Sequence, residues 1–208
     1  MTTLVYFVRH GVTDHTGHRL SGWMDDIHLS EEGREQAEAV ADMLTGTRLR
    51  AVYSSPIDRT VETARPIAAR HDLGVRIRRH LGEVDYGTWT NRSFRSLTRT
   101  RLWTTVQRYP SGARFPQGET LREVQARAVT EVEKLAANHP RQTICCVSHA
   151  DVIRLVCAHF MGIHIDLFQR LMIGPASVSV VALQDDGPRI LSLNTSAPMP
   201  RKESARRT

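Results

Sequence analysis

Hydrophobic and polar positions alternate along this chain in blocks, and the blocks predict strands and helices in turn. Leu4-Val5-Tyr6-Phe7-Val8 is an unbroken apolar run, as expected of a strand buried on both faces, and it stops at Arg9-His10-Gly11. Ser30-Glu31-Glu32 opens a helix, a serine cap followed by acids in the first turn. Ala37, Val40, Ala41 and Leu44 form its apolar stripe, and Gly46 ends it. A short strand is predicted over Ala51–Ser54, and Pro56 stands where the next helix begins. That helix carries Ile57, Val61, Ala64, Ile67 and Ala68, with Pro66 expected to bend or interrupt it. Val75 to Arg78 reads as a strand, and a weakly helical stretch follows as far as Tyr109-Pro110. Glu119 to Asn138 is the clearest amphipathic helix, with Leu121, Val124, Ala128, Val132 and Leu135 at helical spacing. Thr143 to Val147 is a buried strand ending at Ser148-His149, and a helix from about Asp151 to Met161 comes next. Two late strands are expected around Val178 to Leu183 and Arg189 to Leu193. This order predicts an α/β fold of three layers, α/β/α, around a mostly parallel central sheet. One domain over residues 1–195 is expected, with 196–208 a disordered basic tail.

Composition narrows the class. The chain has 208 residues, 40% apolar and 24% charged, which suits one domain with a real core. No apolar run approaches membrane-spanning length, so no membrane segment or signal peptide is expected. Cys145, Cys146 and Cys157 are odd in number and lack Cys-x-x-Cys spacing, which fits buried free thiols in a reducing cytoplasm. The net charge is +6, and it is uneven. Arg92, Arg95, Arg99, Arg101, Arg108 and Arg114 occupy a stretch without one acid, and Arg201, Lys202, Arg206 and Arg207 close the chain. A positive field favours a phosphate ester, a nucleic acid or a membrane surface alike.

Position does more than charge. Ligands of parallel sheets bind at the carboxyl ends of the strands, and three strands here end in polar clusters: Arg9-His10, Ser54-Ser55 and Ser148-His149. If these ends meet, His10, His149 and Arg9 share a pocket, and Arg59 joins them if the Pro56 helix starts there with its first turn inward. Two arginines and two histidines suit a dianion such as phosphate. A metal site fits poorly, because arginines repel cations and neither histidine has a second ligand at a usual spacing.

The residues resemble the histidine phosphatase superfamily, the phosphoglycerate mutase-like proteins, in its branch 1. The resemblance runs from Val5 to about Val181. It rests on Val8-Arg9-His10-Gly11-Val12-Thr13, Ser21-Gly22-Trp23, Leu29-Ser30-x-x-Gly33 and Ser54-Ser55-Pro56-x-x-Arg59-x-x-x-Thr63-Ala64. Leu81-x-Glu83-x-x-x-Gly87-x-Trp89, Gly118-Glu119-Thr120 and Val147-Ser148-His149-Ala150-x-x-Ile153-Arg154 complete it, in the family's order. The resemblance implies a phosphomonoester hydrolase that needs no metal or organic cofactor. His10 would be the nucleophile, Arg9, Arg59 and His149 the clamp on the phosphoryl oxygens, and Glu83 the proton donor. Gly11, Thr13, Gly22 and Ala150 would add contacts to the phosphate. Asp151 is a rival acid, and Glu119 a candidate helix cap that helps orient the pocket. Trp23 and Trp89 read as packing residues.

Two departures stand out. Thr16 and Gly17 occupy the place of a phosphate-binding asparagine found in many members, and Asn91 replaces a glycine, where its tolerance of left-handed backbone would preserve the turn. Mutase chemistry on phosphoglycerates is the alternative reaction; the short stretch between Glu83 and Gly118 and the sparse C-terminal end favour hydrolysis. Residues 91–115 are expected to form a basic lid or insert over the pocket, its arginines either binding further negative charge on the substrate or forming a solvated face. A nucleic-acid-binding module would interleave aromatic residues with those arginines, and Phe94, Trp103 and Tyr109 fit that only loosely. The expected partner is a small phosphate ester, with neither nucleic acid nor membrane; a homodimer is compatible with the sequence.

Overall fold

The unbroken apolar run at the start of the chain forms β1 (Thr2–Arg9), which lies inside a six-stranded sheet. The computed structural model describes residues 2–198. The other strands are β2 (Leu49–Ser54), β3 (Val75–Ile77), β4 (Thr143–Ser148), β5 (Ser177–Gln184) and β6 (Arg189–Ser196), in the order β3-β2-β4-β1-β5-β6. The first four in chain order pair in parallel, whereas β5 runs antiparallel to both β1 and β6. Their α/β connections supply the covering layers. On one face α1 (Glu31–Leu44) and α2 (Asp58–Ala69) bury Val40, Ala41, Leu44, Ala64 and Ile67 against Val8, Val52 and Val147. On the other, α5 (Leu121–Ala137) and α6 (Ala150–Phe160) pack Val124, Val132, Leu135, Leu155 and Val156 against Val5, Phe7 and Ile144. Removing a fully buried side chain such as Ile144 or Leu155 would cost ~2–5 kcal/mol by leaving a cavity. No helix among the described residues is long and apolar enough to cross a membrane.

Local chemistry explains the boundaries. Ser30 caps α1 by accepting from the Gly33 amide. That helix start touches the loop after β1 so closely that a Cβ on Gly33 would lie 2.0 Å from the Val12 carbonyl, which only glycine avoids. Pro66 does not interrupt α2, which continues to Ala69. The last turn is held by the buried Ile67 and Ala68, so packing outweighs the lost amide donor. Glu119 is not the cap of the long helix. Thr120 is, in a reciprocal capping box with Glu123, because its hydroxyl reaches the third amide of the helix. Asn91 sits at φ 65°, in the left-handed region expected for the glycine it replaces.

The arginine-rich segment folds into two short helices, α3 (Phe94–Leu97) and α4 (Arg101–Arg108), capped by Ser93 and Thr100. Leu97 and Val106 anchor it to the core. β6 reaches Ser196, so the expected tail begins inside a strand; its residues 199–208 lie outside the described part of the chain.

Candidate active site

The sheet order makes β2, β4 and β1 neighbours, and their carboxyl ends line up. The His10 amide donates to the Ser148 carbonyl and the Ser55 amide to the Val147 carbonyl, so the three polar clusters converge at one edge. The rings of His10 and His149 stand 5.3 Å apart, centroid to centroid, at 62°. Arg59, in the first turn of α2, is 1% exposed and lies between them. Its Nε is 3.3 Å from His10 Nε2, and its Nη2 donates to the Gly22 carbonyl at 2.8 Å and lies 3.3 Å from His149 Nδ1.

The tautomer of His10 follows from its partners. Nδ1 lies 2.7 Å from the Gly11 carbonyl, which can only accept, so Nδ1 carries the proton and Nε2 the lone pair. Burial first, then the charges of Arg59 and Arg9, holds the imidazole well below its ordinary pKa, so it stays neutral. The same causes, burial and then Arg59, keep His149 neutral. His149 Nε2 is 2.9 Å from the Ser55 hydroxyl, which can donate or accept, so this ring can present Nδ1 with or without a proton. Arg9 donates from Nη1 to the Ile173 carbonyl at 2.8 Å. Arg9 Nε and Arg59 Nη1 are buried and lack a hydrogen-bond partner among the described residues, a costly state that an anion between them would relieve.

Glu83 adds a carboxyl group to the site. Its Oε1 accepts from the Val84 amide at 2.9 Å, and its Oε2 is 3.7 Å from His149 Nδ1. Burial and, after it, the negative charge of Asp151 raise its pKa to about 7, against the opposing pull of Arg59 and Arg9. The raising effects outweigh the opposing ones, so the carboxyl is partly protonated near neutrality. Asp151, in the first turn of α6, accepts from the Tyr86 hydroxyl and from Arg154, both at 2.9 Å.

The backbone around Glu83 is tied from outside the cavity. Trp23 Nε1 donates to the Glu83 carbonyl at 2.6 Å, so this tryptophan does more than pack. Arg127, on α5, donates to the carbonyls of His80, Gly82 and Glu83. Glu119 grips Arg127 through both carboxylate oxygens at 2.7 and 2.9 Å and accepts from the Asp85 amide. Neither Arg127 nor Ile173 was distinguishable in sequence: one is an arginine on a helix, the other a loop carbonyl, and neither carries a local signal.

These groups open into a cavity of about 420 Å³. Arg9, His10, Thr13, Arg59, Glu83 and Ala150 line it, as do Asp151, Thr16 and Gly17. Thr16 Oγ1 accepts from the Thr13 amide at 2.9 Å. Gly11 and Gly22 stand behind the lining: the Gly11 amide donates to Thr63, and the Gly22 carbonyl holds Arg59. None of the six arginines at 92, 95, 99, 101, 108 and 114 lines the cavity; Arg114 pairs instead with Glu123 at 2.7 Å. Their segment turns Phe94, Trp103, Val106, Gln107 and Phe115 inward, whereas Tyr109 stays exposed beside Arg108. Asp26, His28 and Asp58 could jointly reach a metal ion, yet they lie outside the cavity lining, and His28 already pairs with Glu62 at 2.6 Å.

Fold and site together define a class, and the chain belongs to it: the family model of the histidine phosphatase superfamily (branch 1) matches residues 5–196. The relatives include Phosphoserine phosphatase 1 of Hydrogenobacter thermophilus, 30% identical over 81% of this chain and 81% of that protein. Another, the Probable phosphoglycerate mutase GpmB of Proteus mirabilis, is 29% identical over 87% of this chain and 85% of its own. Among solved structures, a mycobacterial glucosyl-3-phosphoglycerate phosphatase superposes with a TM-score of 0.86 at 25% identity, over 94% of this chain and 100% of that one.

Proposed function

We propose that this protein hydrolyses phosphate monoesters of small molecules through a phosphohistidine on His10. The observation that carries this reading is the deprotonated His10 Nε2 beside the guanidinium groups of Arg9 and Arg59, each with a buried nitrogen lacking a partner among the described residues. A phosphoryl dianion placed there meets a neutral nucleophile and fixed positive charge together. In the first step the Nε2 lone pair forms the N–P bond and the ester P–O bond breaks. The departing oxygen keeps that electron pair and takes the proton of Glu83, whose pKa of about 7 leaves it protonated in much of the enzyme at neutral pH. In the second step Glu83, now a carboxylate, takes a proton from water as the water oxygen attacks phosphorus. The N–P bond breaks and inorganic phosphate leaves. Arg9, Arg59 and His149 hold the non-bridging oxygens throughout, and Thr13 and the Ala150 turn complete the cradle. Residues 91–115 act as the wall over the leaving alcohol.

Mutase-type transfer shares the first step and differs in the acceptor, a substrate hydroxyl instead of water. An assay with chelator present, following inorganic phosphate from a panel of esters that includes 3-phosphoglycerate, separates the two. Phosphate release supports the hydrolase. Interconversion of phosphoglycerates without release overturns it in favour of a mutase.

A further inference from the structure

Beyond the phosphate cradle, the cavity has little charge to offer a substrate. Arg9, Arg59 and Glu83 belong to the cradle itself. Asp151 and Arg154 are paired at 2.9 Å, and Arg154 also donates from Nε to the Leu171 carbonyl, so a second anion would compete with a carboxylate already in place. Arg19 is exposed at the rim and donates to the carbonyl and side chain of Asn91. An ion pair there would contribute only about 0–1 kcal/mol.

His15, Thr16, Gly17, Leu20 and Ser21 line the side formed by the loop after β1, and rings form the wall on the side of α3 and α4. Phe94 meets Trp103 edge-on at 6.1 Å, Trp103 stacks on Trp89 at 6.3 Å, Trp89 meets Phe115 at 5.5 Å, and Phe115 meets Tyr86 at 5.0 Å. All five line the cavity, with Val106 beside them. The ladder is preorganised: Tyr86, Trp89 and Phe115 are buried, while Phe94 and Trp103 keep part of their surface open. Polar contact on that side comes from uncharged carboxamides, Gln107 and Gln169. A volume of about 420 Å³ falls in the range of sites that enclose a whole small molecule, beyond what a phosphoryl group fills.

We infer that the preferred substrates are phosphate esters of uncharged alcohols bearing an apolar ring, and that Trp103 selects them by covering that ring. This inference rests on the phosphatase reading and narrows it. It also separates this chain from the substrate named for its phosphoserine phosphatase relative, since phosphoserine carries two further charged groups.

The test compares kcat/KM for four esters with alkyl leaving groups: 2-phenylethyl phosphate, cyclohexylmethyl phosphate, phosphoserine and 3-phosphoglycerate. The ring esters are expected to lead by about tenfold or more, the scale of one aromatic contact plus its apolar burial. Trp103→Ala should narrow that ratio by about tenfold and Trp103→Phe should restore most of it. A ratio taken within one preparation is independent of how much protein is correctly folded. Equal or better turnover of phosphoserine or 3-phosphoglycerate, or a ratio unmoved in Trp103→Ala, overturns the inference and leaves the phosphatase standing. If no ester releases phosphate, p-nitrophenyl phosphate included, both fall together.

Discussion

The cavity has two walls built on opposite principles. At the strand ends, His10, Arg59 and His149 are buried polar groups whose desolvation is tolerated because each orients another. Across the cavity, α3 and α4 place aromatic side chains inside and leave arginines outside. The first wall is rigid and charged, set by parallel strands in register; the second is apolar and mounted on two short helices. Under the proposed function, bond breaking belongs to the sheet wall and the choice of substrate to the wall carried by α3 and α4. The contrast also shows that a run of arginines in sequence says little about the charge of the pocket beside it.

Loss of the sheet wall should have the largest effect. His10→Ala should lower kcat by about 10⁴-fold or more on every ester, the scale of removing a covalent nucleophile. Substantial residual turnover, measured against the purified wild type, would move the nucleophile elsewhere.

Glu83→Gln should slow alkyl esters by about 10²–10⁴-fold. It should slow p-nitrophenyl phosphate far less, because that leaving group departs without a proton; equal losses would remove Glu83 as the acid. The pH dependence has a defined sign. The first step needs protonated Glu83, so kcat/KM on alkyl esters should hold below the raised pKa of about 7 and fall as pH rises through it. His10, held neutral by burial and the nearby arginines, should add no acid limb near the usual histidine range. In Glu83→Gln the limb near 7 should vanish.

Arg127→Ala, which releases the carbonyls of the Glu83 segment, should cost about tenfold in kcat on alkyl esters, because a small misplacement of a catalytic group lowers rate steeply. Its pH limb should also move, since the environment that raises the Glu83 pKa would loosen. A loss with the pH limb unmoved would mark Arg127 as merely structural. The smallest effect belongs to the outer face of the other wall. Replacing Arg99, Arg101 and Arg108 together by alanine should change kcat/KM less than about twofold, as expected of exposed charges. A tenfold rise in KM would show that these arginines reach the substrate.

The two walls also differ in how well sequence revealed them. β1, β2 and β4 were legible from apolar runs that stop abruptly at polar residues, and that same abruptness marked His10, Ser55 and His149 as neighbours. Arg59 was legible as a first-turn residue of the helix expected after Pro56, provided that turn faced the strand ends, as it does. Arg127 and the Ile173 carbonyl were not, because their roles depend on long-range packing of α5 and of the loop before β5. The inward turn of Phe94 and Trp103 was hidden as well: in helices this short, periodicity cannot tell the cavity side from the solvent side. The continuation of α2 past Pro66 was hidden for a related reason, since propensity is local and the anchoring of Ile67 and Ala68 is not.

The cysteines give the fold an internal clock. All three are buried, and burial pushes the thiols of Cys145 and Cys157 up to about 12, so none reacts as a thiolate while the protein stays closed. Cys145 points into the layer under α1 and α2, whereas Cys146 and Cys157 lie in the layer under α5 and α6. Thiol-labelling rates, resolved residue by residue, would therefore time the opening of each layer separately and report whether the two sides of the sheet come apart together.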